Sequence, residues 1–345
     1  QEWFPHISMW IWTIIFAITI FALNLSSTRI FAESEFWLAL VKVVTVVAFI
    51  ILGLLAIFGL IPFHGAESAP LFHNLTAQGW FPQGLVPIFT TMLIVNFAFS
   101  GTELIGVAAG ETKDPAVNVP KAINAAIWRL LIFFVGTIVV ISALLPFQVA
   151  GLGGESVSNS PFVTVFNYIG IPYADDIMRF VIITALLSAA NSGLYAASRM
   201  MWSLSAQRQL PQVFSRLSSS GTPVIALVVT MFGAIPGLLS EHFAPETIFK
   251  NLLGIAAFTM VIVWMSICWS QFNFRRAWYK AGHSAKDLKF AAPLYPIVPI
   301  LGFVFCFITG LSMAADPEMQ AGFIGCLLFI AACYLSHYVF YRDRT

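Results

Sequence analysis

Apolar runs of about twenty residues, long enough to cross a bilayer as helices, recur along this chain and constrain its fold more than any motif does. Nine are read, over roughly residues 9–30, 36–61, 86–110, 124–147, 175–205, 223–240, 248–271, 294–314 and 321–341. Turn and breaker signals separate them, among them Ile61-Pro62, Asp114-Pro115, Gly221-Thr222-Pro223 and Pro293 with Pro296. In hydrocarbon a backbone must satisfy its own hydrogen bonds, which makes helices of these runs. Only 10% of residues are charged, against about 25% in soluble domains. The expectation is an all-α polytopic membrane protein without a separate soluble domain.

Charge and cysteine placement narrow the function. The formal net charge of +1 gives no reason to expect a nucleic acid partner. Position says more: with the C-terminus in the cytoplasm, fourteen of the 17 Lys and Arg residues fall on that side, against Arg179 and Lys250 outside and Lys42 within a span. That orientation puts Gln1 outside. The chain opens QEWFPHISMW, without Met, basic segment or cleavage site, so further spans are expected to precede it. Cys268, Cys306, Cys326 and Cys333 all sit in apolar runs and are read as small hydrophobes. The six histidines show no ligand spacing, and no P-loop or G-x-S-x-G string occurs. No metal, cofactor or enzymatic activity is expected.

The stretch from Asn96 to Pro115, NFAFSGTELIGVAAGETKDP, is unlike a plain anchor. Gly101, Gly106 and Gly110 each weaken a helix by roughly 1 kcal/mol relative to Ala. Ser100, Thr102 and Glu103 offer alternative backbone partners if the helix opens near Gly101. Opened backbone at bilayer depth survives only where protein or a water-filled cavity covers it, and a carboxylate there is by default functional. Glu103 is read either as a neutral acid bonded between helices or as a proton carrier or partner of a substrate ammonium group. Glu111 is read as an interfacial charge or a gate. Phe97 and Phe99 flank the break and can cover a substrate or its cation.

Two further polar features lie in apolar runs. Lys42, in EFWLALVKVVTVVAFIILG, is about 10 Å along its helix from Glu35. It either snorkels to the surface or places its ammonium where a transporter holds a sodium ion, with deprotonation linked to transport. The run SAANSGLYAASRMMWSLS carries Ala189, Gly193 and Ala197 at a spacing suited to close helix packing. Its other face carries Ser188, Ser192 and Tyr195 and is expected to look into the bundle. Ser188, Asn191 and Ser192 are candidate partners for an ion or a lysine.

FSGTELIGVAAGETKDP, the Lys42 segment and TALLSAANSGLYAASRMMWSLSAQRQLP together resemble the amino acid permeases of the amino acid-polyamine-organocation superfamily, in their bacterial amino acid transporter branch. STRIFAESEFW, VNFAFSGTELIG, SPFVTVFNYIGIPYADDI and FAAPLYPIVPILGF bring it nearest to S-methylmethionine permeases, and the likeness covers essentially all 345 residues. The resemblance implies a LeuT-like inverted-repeat transporter fold, of which this chain holds helices 4 to 12 of 12. Residues 1–61 would be the remainder of the first repeat, 86–271 the second, and 294–341 two extra helices, all in a single transporter domain. Helices one to three, with the broken first helix, would be absent.

It also implies proton-coupled import of an amino acid, most of all S-methylmethionine, across a bacterial cytoplasmic membrane by alternating access. Phe97, Phe99, Ser100, Gly101, Thr102 and Glu103 would bind substrate. Glu103, Glu111, Lys42, Ser188, Asn191 and Ser192 would couple or gate. Basic amino acids, proline and 4-aminobutyrate are alternative substrates. Exchange without protons, and a truncated membrane protein that does not transport, are alternative functions.

Overall fold

The structure is a computed structural model; it describes the chain except residues 1, 2, 5, 27, 67, 68, 78, 80, 82, 151–158, 236–244, 316–319 and 341–345. The described residues contain helices and no strand. In chain order the principal helices are α1 (Met9–Leu25), α2 (Thr28–Ile57), α3 (Val86–Ala98), α4 (Leu104–Ala108), α5 (Pro115–Leu144) and α6 (Pro161–Ile169). They continue as α7 (Ala174–Ala206), α8 (Val224–Met231), α9 (Pro245–Lys280), α10 (Ile297–Ala315) and α11 (Gln320–Phe340).

Among the described residues five helical stretches are long and apolar enough to cross a membrane: Arg29–Ile57, Pro115–Leu144, Ala174–Ala206, Gly254–Lys280 and Ile297–Ala315. Shorter apolar helices cover Trp10–Leu25, Val224–Ala234 and Gln320–Ser336. The expected run 86–110 is divided between α3 and α4, and the end of the expected run 223–240 lies outside the described residues. Large apolar side chains are exposed along these helices, including Ile18 at 63%, Trp128 at 65% and Leu328 at 66%. A surface of that kind suits lipid rather than water.

Packing divides the chain into two compact units. The first comprises Gln1–Pro82, Asn124–Ser198 and Leu217–Leu227. Its core gathers Phe49, Ile57, Val140, Leu144, Val163 and Phe166 from α2, α5 and α6. The Phe49 ring lies 4.5 Å from that of Phe162 and 5.5 Å from that of Phe166. A Cβ on Gly53 would run into the Val140 side chain, so the missing side chain is what lets α2 and α5 close on each other. Leu131–Val135 is a π-helical turn within α5.

The second unit comprises Gln83–Ile123, Arg199–Arg216 and Val228–Thr345. Phe258, Val261, Cys306, Met313 and Cys326 form its core, where α9 meets α10 and α11. Gly302 faces Cys268, whose sulfur would lie 2.9 Å from an added Cβ. α3 packs on α9 and α10 in the same unit. The four cysteines are free, and Cys306 and Cys326 fill apolar space as the sequence suggests.

Candidate functional site

α3 ends at Ala98 and α4 begins at Leu104, so the apolar run is interrupted over 99–103. Gly101 adopts φ +94°, a left-handed conformation that a side chain disfavours and a helix cannot contain. The Glu103 carboxylate folds back onto the break. The Gly101 N–H donates to Oε1 at 3.0 Å and to Oε2 at 3.1 Å. An amide released from a helical ladder in apolar surroundings needs such a substitute partner.

From α9, the Trp264 indole Nε1–H donates to Glu103 Oε2 at 3.2 Å, tying the break to its neighbour in the second unit. A carboxylate offers about four acceptor sites. Among the described residues two donors make three contacts with it, which leaves room, chiefly on Oε1, for one more donor. Phe99, Ser100, Gly101, Thr102 and Glu103 are all half-buried. Phe97 lies in the last turn of α3 and Glu111 in the 3-10 turn after α4; both side chains are outside the described residues.

The other candidates meet in the first unit. The Lys42 ammonium donates to Ser188 Oγ at 2.7 Å, which joins α2 to α7. Ser188 donates its hydroxyl proton to Glu35 Oε1, and Asn191 Nδ2 donates to Glu35 Oε2 at 3.2 Å. Asn24 of α1 donates through Nδ2 to Asn191 Oδ1 at 2.8 Å and to the Ile20 carbonyl at 3.0 Å. Ser188 and Asn191 are fully buried, at 0% exposure. Buried polar groups persist only when bonded, and here Ser188 bonds Lys42 and Glu35 while Asn191 bonds Glu35 and Asn24, linking α1, α2 and α7. Ser192 is half-buried on α7 and belongs to none of these bonds.

Three features escape a reading from sequence. Glu35 stands just before an apolar run and looks interfacial, although it sits seven residues before Lys42, two turns along one face of α2. Asn24 and Trp264 carry no local signal. One expectation needs correction: Ala189, Gly193 and Ala197 are exposed, and a Cβ on Gly193 would meet nothing within 4 Å. α7 is held in the first unit through its Ser188, Asn191 and Tyr195 side, where Tyr195 stacks on Phe31 with centroids 4.1 Å apart.

Comparison with known proteins places these features in a family. The amino acid permease family model matches residues 1–345. Amino-acid permease RocE of Bacillus subtilis is 43% identical over 344 residues, covering 100% of this chain and 73% of its own length. Lysine-specific permease LysP of Escherichia coli is 39% identical over 340 residues, covering 95% of this chain and 69% of its own. The gamma-aminobutyric acid permease of Bacillus subtilis is 36% identical over 346 residues, covering 100% and 72%. These names do not carry S-methylmethionine, so the likeness expected at the level of substrate is not repeated in them. The relatives are permeases rather than enzymes, and with its apolar helices the chain is an integral membrane protein of the amino acid permease family.

Proposed function

We propose that this permease imports an amino acid bearing a cationic side chain together with a proton, by alternating access, and that the substrate binds at the interrupted helix over 99–103. The observation that carries the reading is the Glu103 carboxylate, held on the opened backbone with acceptor capacity to spare. Discontinuous helices in transporters present backbone groups and half-helix ends to substrate and coupling ion. Ser100, Gly101 and Thr102 supply such groups, Phe97 and Phe99 supply ring faces for a cation, and Glu103 takes the substrate ammonium or the proton. Glu111 gates from the far end of α4. Lys42 with Ser188, Asn191 and Ser192 serves the coupling.

The LeuT-like arrangement belongs to the same proposal. It has nine crossings, the remainder of the first repeat over 1–61, the second over 86–271 and extra helices over 294–341. So does a cytoplasmic-membrane location with the C-terminus inside. S-methylmethionine is a permanent sulfonium cation, and lysine carries an ammonium; the sequence strings favour the first and the lysine-specific relative favours the second. Proline and 4-aminobutyrate are the further candidates, the latter through its own relative.

The test is uptake by protein expressed from its complete reading frame and reconstituted in liposomes. Labelled lysine and S-methylmethionine are offered with and without an inward pH gradient, in competition with proline and 4-aminobutyrate. The proposal expects gradient-dependent uptake of a cationic substrate and weak competition by proline. Uptake indifferent to the gradient refutes the coupling, and dominant competition by proline or 4-aminobutyrate refutes the substrate class.

A further inference from the structure

We propose that Glu35, Ser188 and Lys42 form a proton relay, with Glu35 receiving through Ser188 the proton that leaves Lys42. The relay rests on the proton-coupled reading given above and assigns a terminus to it. One hydroxyl accepts from an ammonium at 2.7 Å and donates to a carboxylate at the same time. That is the geometry for a concerted transfer of two protons. A Lys42 Nζ–H bond breaks as a new Ser188 Oγ–H bond forms, while the original Ser188 O–H bond breaks as a Glu35 Oε1–H bond forms. Ser188 ends as it began, Lys42 becomes a neutral amine, Glu35 becomes a neutral acid, and the net charge of the three is unchanged.

Glu35 and Lys42 are separated by seven residues, about 10 Å along the axis of α2, so the hydroxyl of α7 closes the gap between them. Ser188 has no exposure to solvent, and Glu35 and Lys42 are half-buried, so the hydroxyl is the direct link between them. Asn191 holds the other carboxylate oxygen, and Asn24 in turn holds Asn191, which makes both positioning residues for Glu35. The groups of α7 bonded to the carboxylate, Ser188 and Asn191, are uncharged, and Asn24 of α1 bonds Asn191 rather than the carboxylate; the proton passes between Lys42 and Glu35, both on α2.

The test compares two assays on the reconstituted protein from its complete reading frame. One is net substrate uptake driven by a pH gradient; the other is substrate counterflow at equal pH, which moves no net proton. Glu35→Gln and Ser188→Ala are expected to lower gradient-driven uptake about tenfold or more while counterflow stays within about threefold of wild type, and Ser188→Thr, which keeps a hydroxyl, retains uptake. Gradient-driven uptake at the wild-type level in Glu35→Gln overturns the relay. Equal loss of uptake and counterflow in Glu35→Gln, Ser188→Ala and Ser188→Thr also overturns it, since the cluster then only holds α2 to α7. Uptake by the wild-type protein that ignores the gradient is a separate result, which refutes the proton coupling and the relay with it.

Discussion

Trp264 donates its indole N–H to the carboxylate of Glu103 at 3.2 Å, joining the interrupted helix to the middle of α9. The same carboxylate already satisfies the Gly101 amide, so one side chain stabilises the break locally and anchors it within its unit. Hydrogen bonds to a charged group contribute about 1.5–3 kcal/mol, more than neutral ones.

Replacing Trp264 with Phe is therefore expected to lower stability by about 1–3 kcal/mol, with most of the apolar contact retained. A cycle with Glu103→Ala, which removes the acceptor, is expected to give a coupling of roughly 0.5–3 kcal/mol, because the two groups share one bond. Thermal unfolding of the four proteins in detergent measures it. Additive effects would mean that the bond contributes nothing.

Gly101→Ala places a Cβ on a residue at φ +94°. The penalty is about 1–2 kcal/mol from the backbone alone, since the added Cβ meets no neighbour closer than Leu104 at 4.0 Å. Gly101→Asn is expected to lose less, because Asn tolerates positive φ. A shift in unfolding midpoint that ranks Ala below Asn checks the conformational origin.

The interruption at 99–103 was legible because glycines, hydroxyls and an acid stand together in an apolar run, and such residues have few other uses there. The approach of Lys42 to Ser188 was legible for a similar reason, an ammonium and a hydroxyl set among apolar residues. Glu35 was not, because a carboxylate near the end of a run looks interfacial until the partner helix is known. Trp264 was hidden among ten tryptophans, most of which suit interfacial positions. The stripe Ala189, Gly193 and Ala197 fits close packing by composition, yet the buried side of α7 is the one whose polar groups find partners within the first unit.

Among the described glycines of the first unit, Gly53 leaves the least room for a Cβ, which would run into the Val140 side chain. The β-branched Val140 has little freedom to move aside. Gly53→Ala is expected to destabilise by about 1–3 kcal/mol through overpacking, and adding Val140→Ala is expected to return part of that loss. Unfolding midpoints of the single and double variants provide the check; a Gly53→Ala protein as stable as wild type would contradict the packing described.

In the loop between α9 and α10, Ser284 and Asp287 form a capping box: the Ser284 N–H donates to Asp287 Oδ2 at 2.6 Å, and Ser284 Oγ accepts from the Lys286 N–H at 3.2 Å. The Ser284 backbone bond, helped by its side chain and by His283, holds the Asp287 carboxyl below its ordinary value. A group more acidic in the folded loop than in the open one stabilises the loop fully above its unfolded value, near pH 4, and loses that contribution as pH falls through the lower folded value. Exchange of the Ser284 amide is expected to accelerate over that interval beyond the trend of neighbouring amides, and Asp287→Asn is expected to abolish the step.

The central claim, that substrate occupies the interrupted helix, is tested most directly by protection of a single cysteine. With the four native cysteines replaced by alanine, Thr102→Cys is alkylated by a maleimide with and without saturating substrate, alongside Ser220→Cys as a control in an exposed turn. Substrate is expected to slow alkylation at position 102 about tenfold, with half-protection near the concentration that half-saturates uptake, and to leave position 220 unchanged. Equal alkylation of Thr102→Cys with and without substrate, in a protein that still transports, would contradict it.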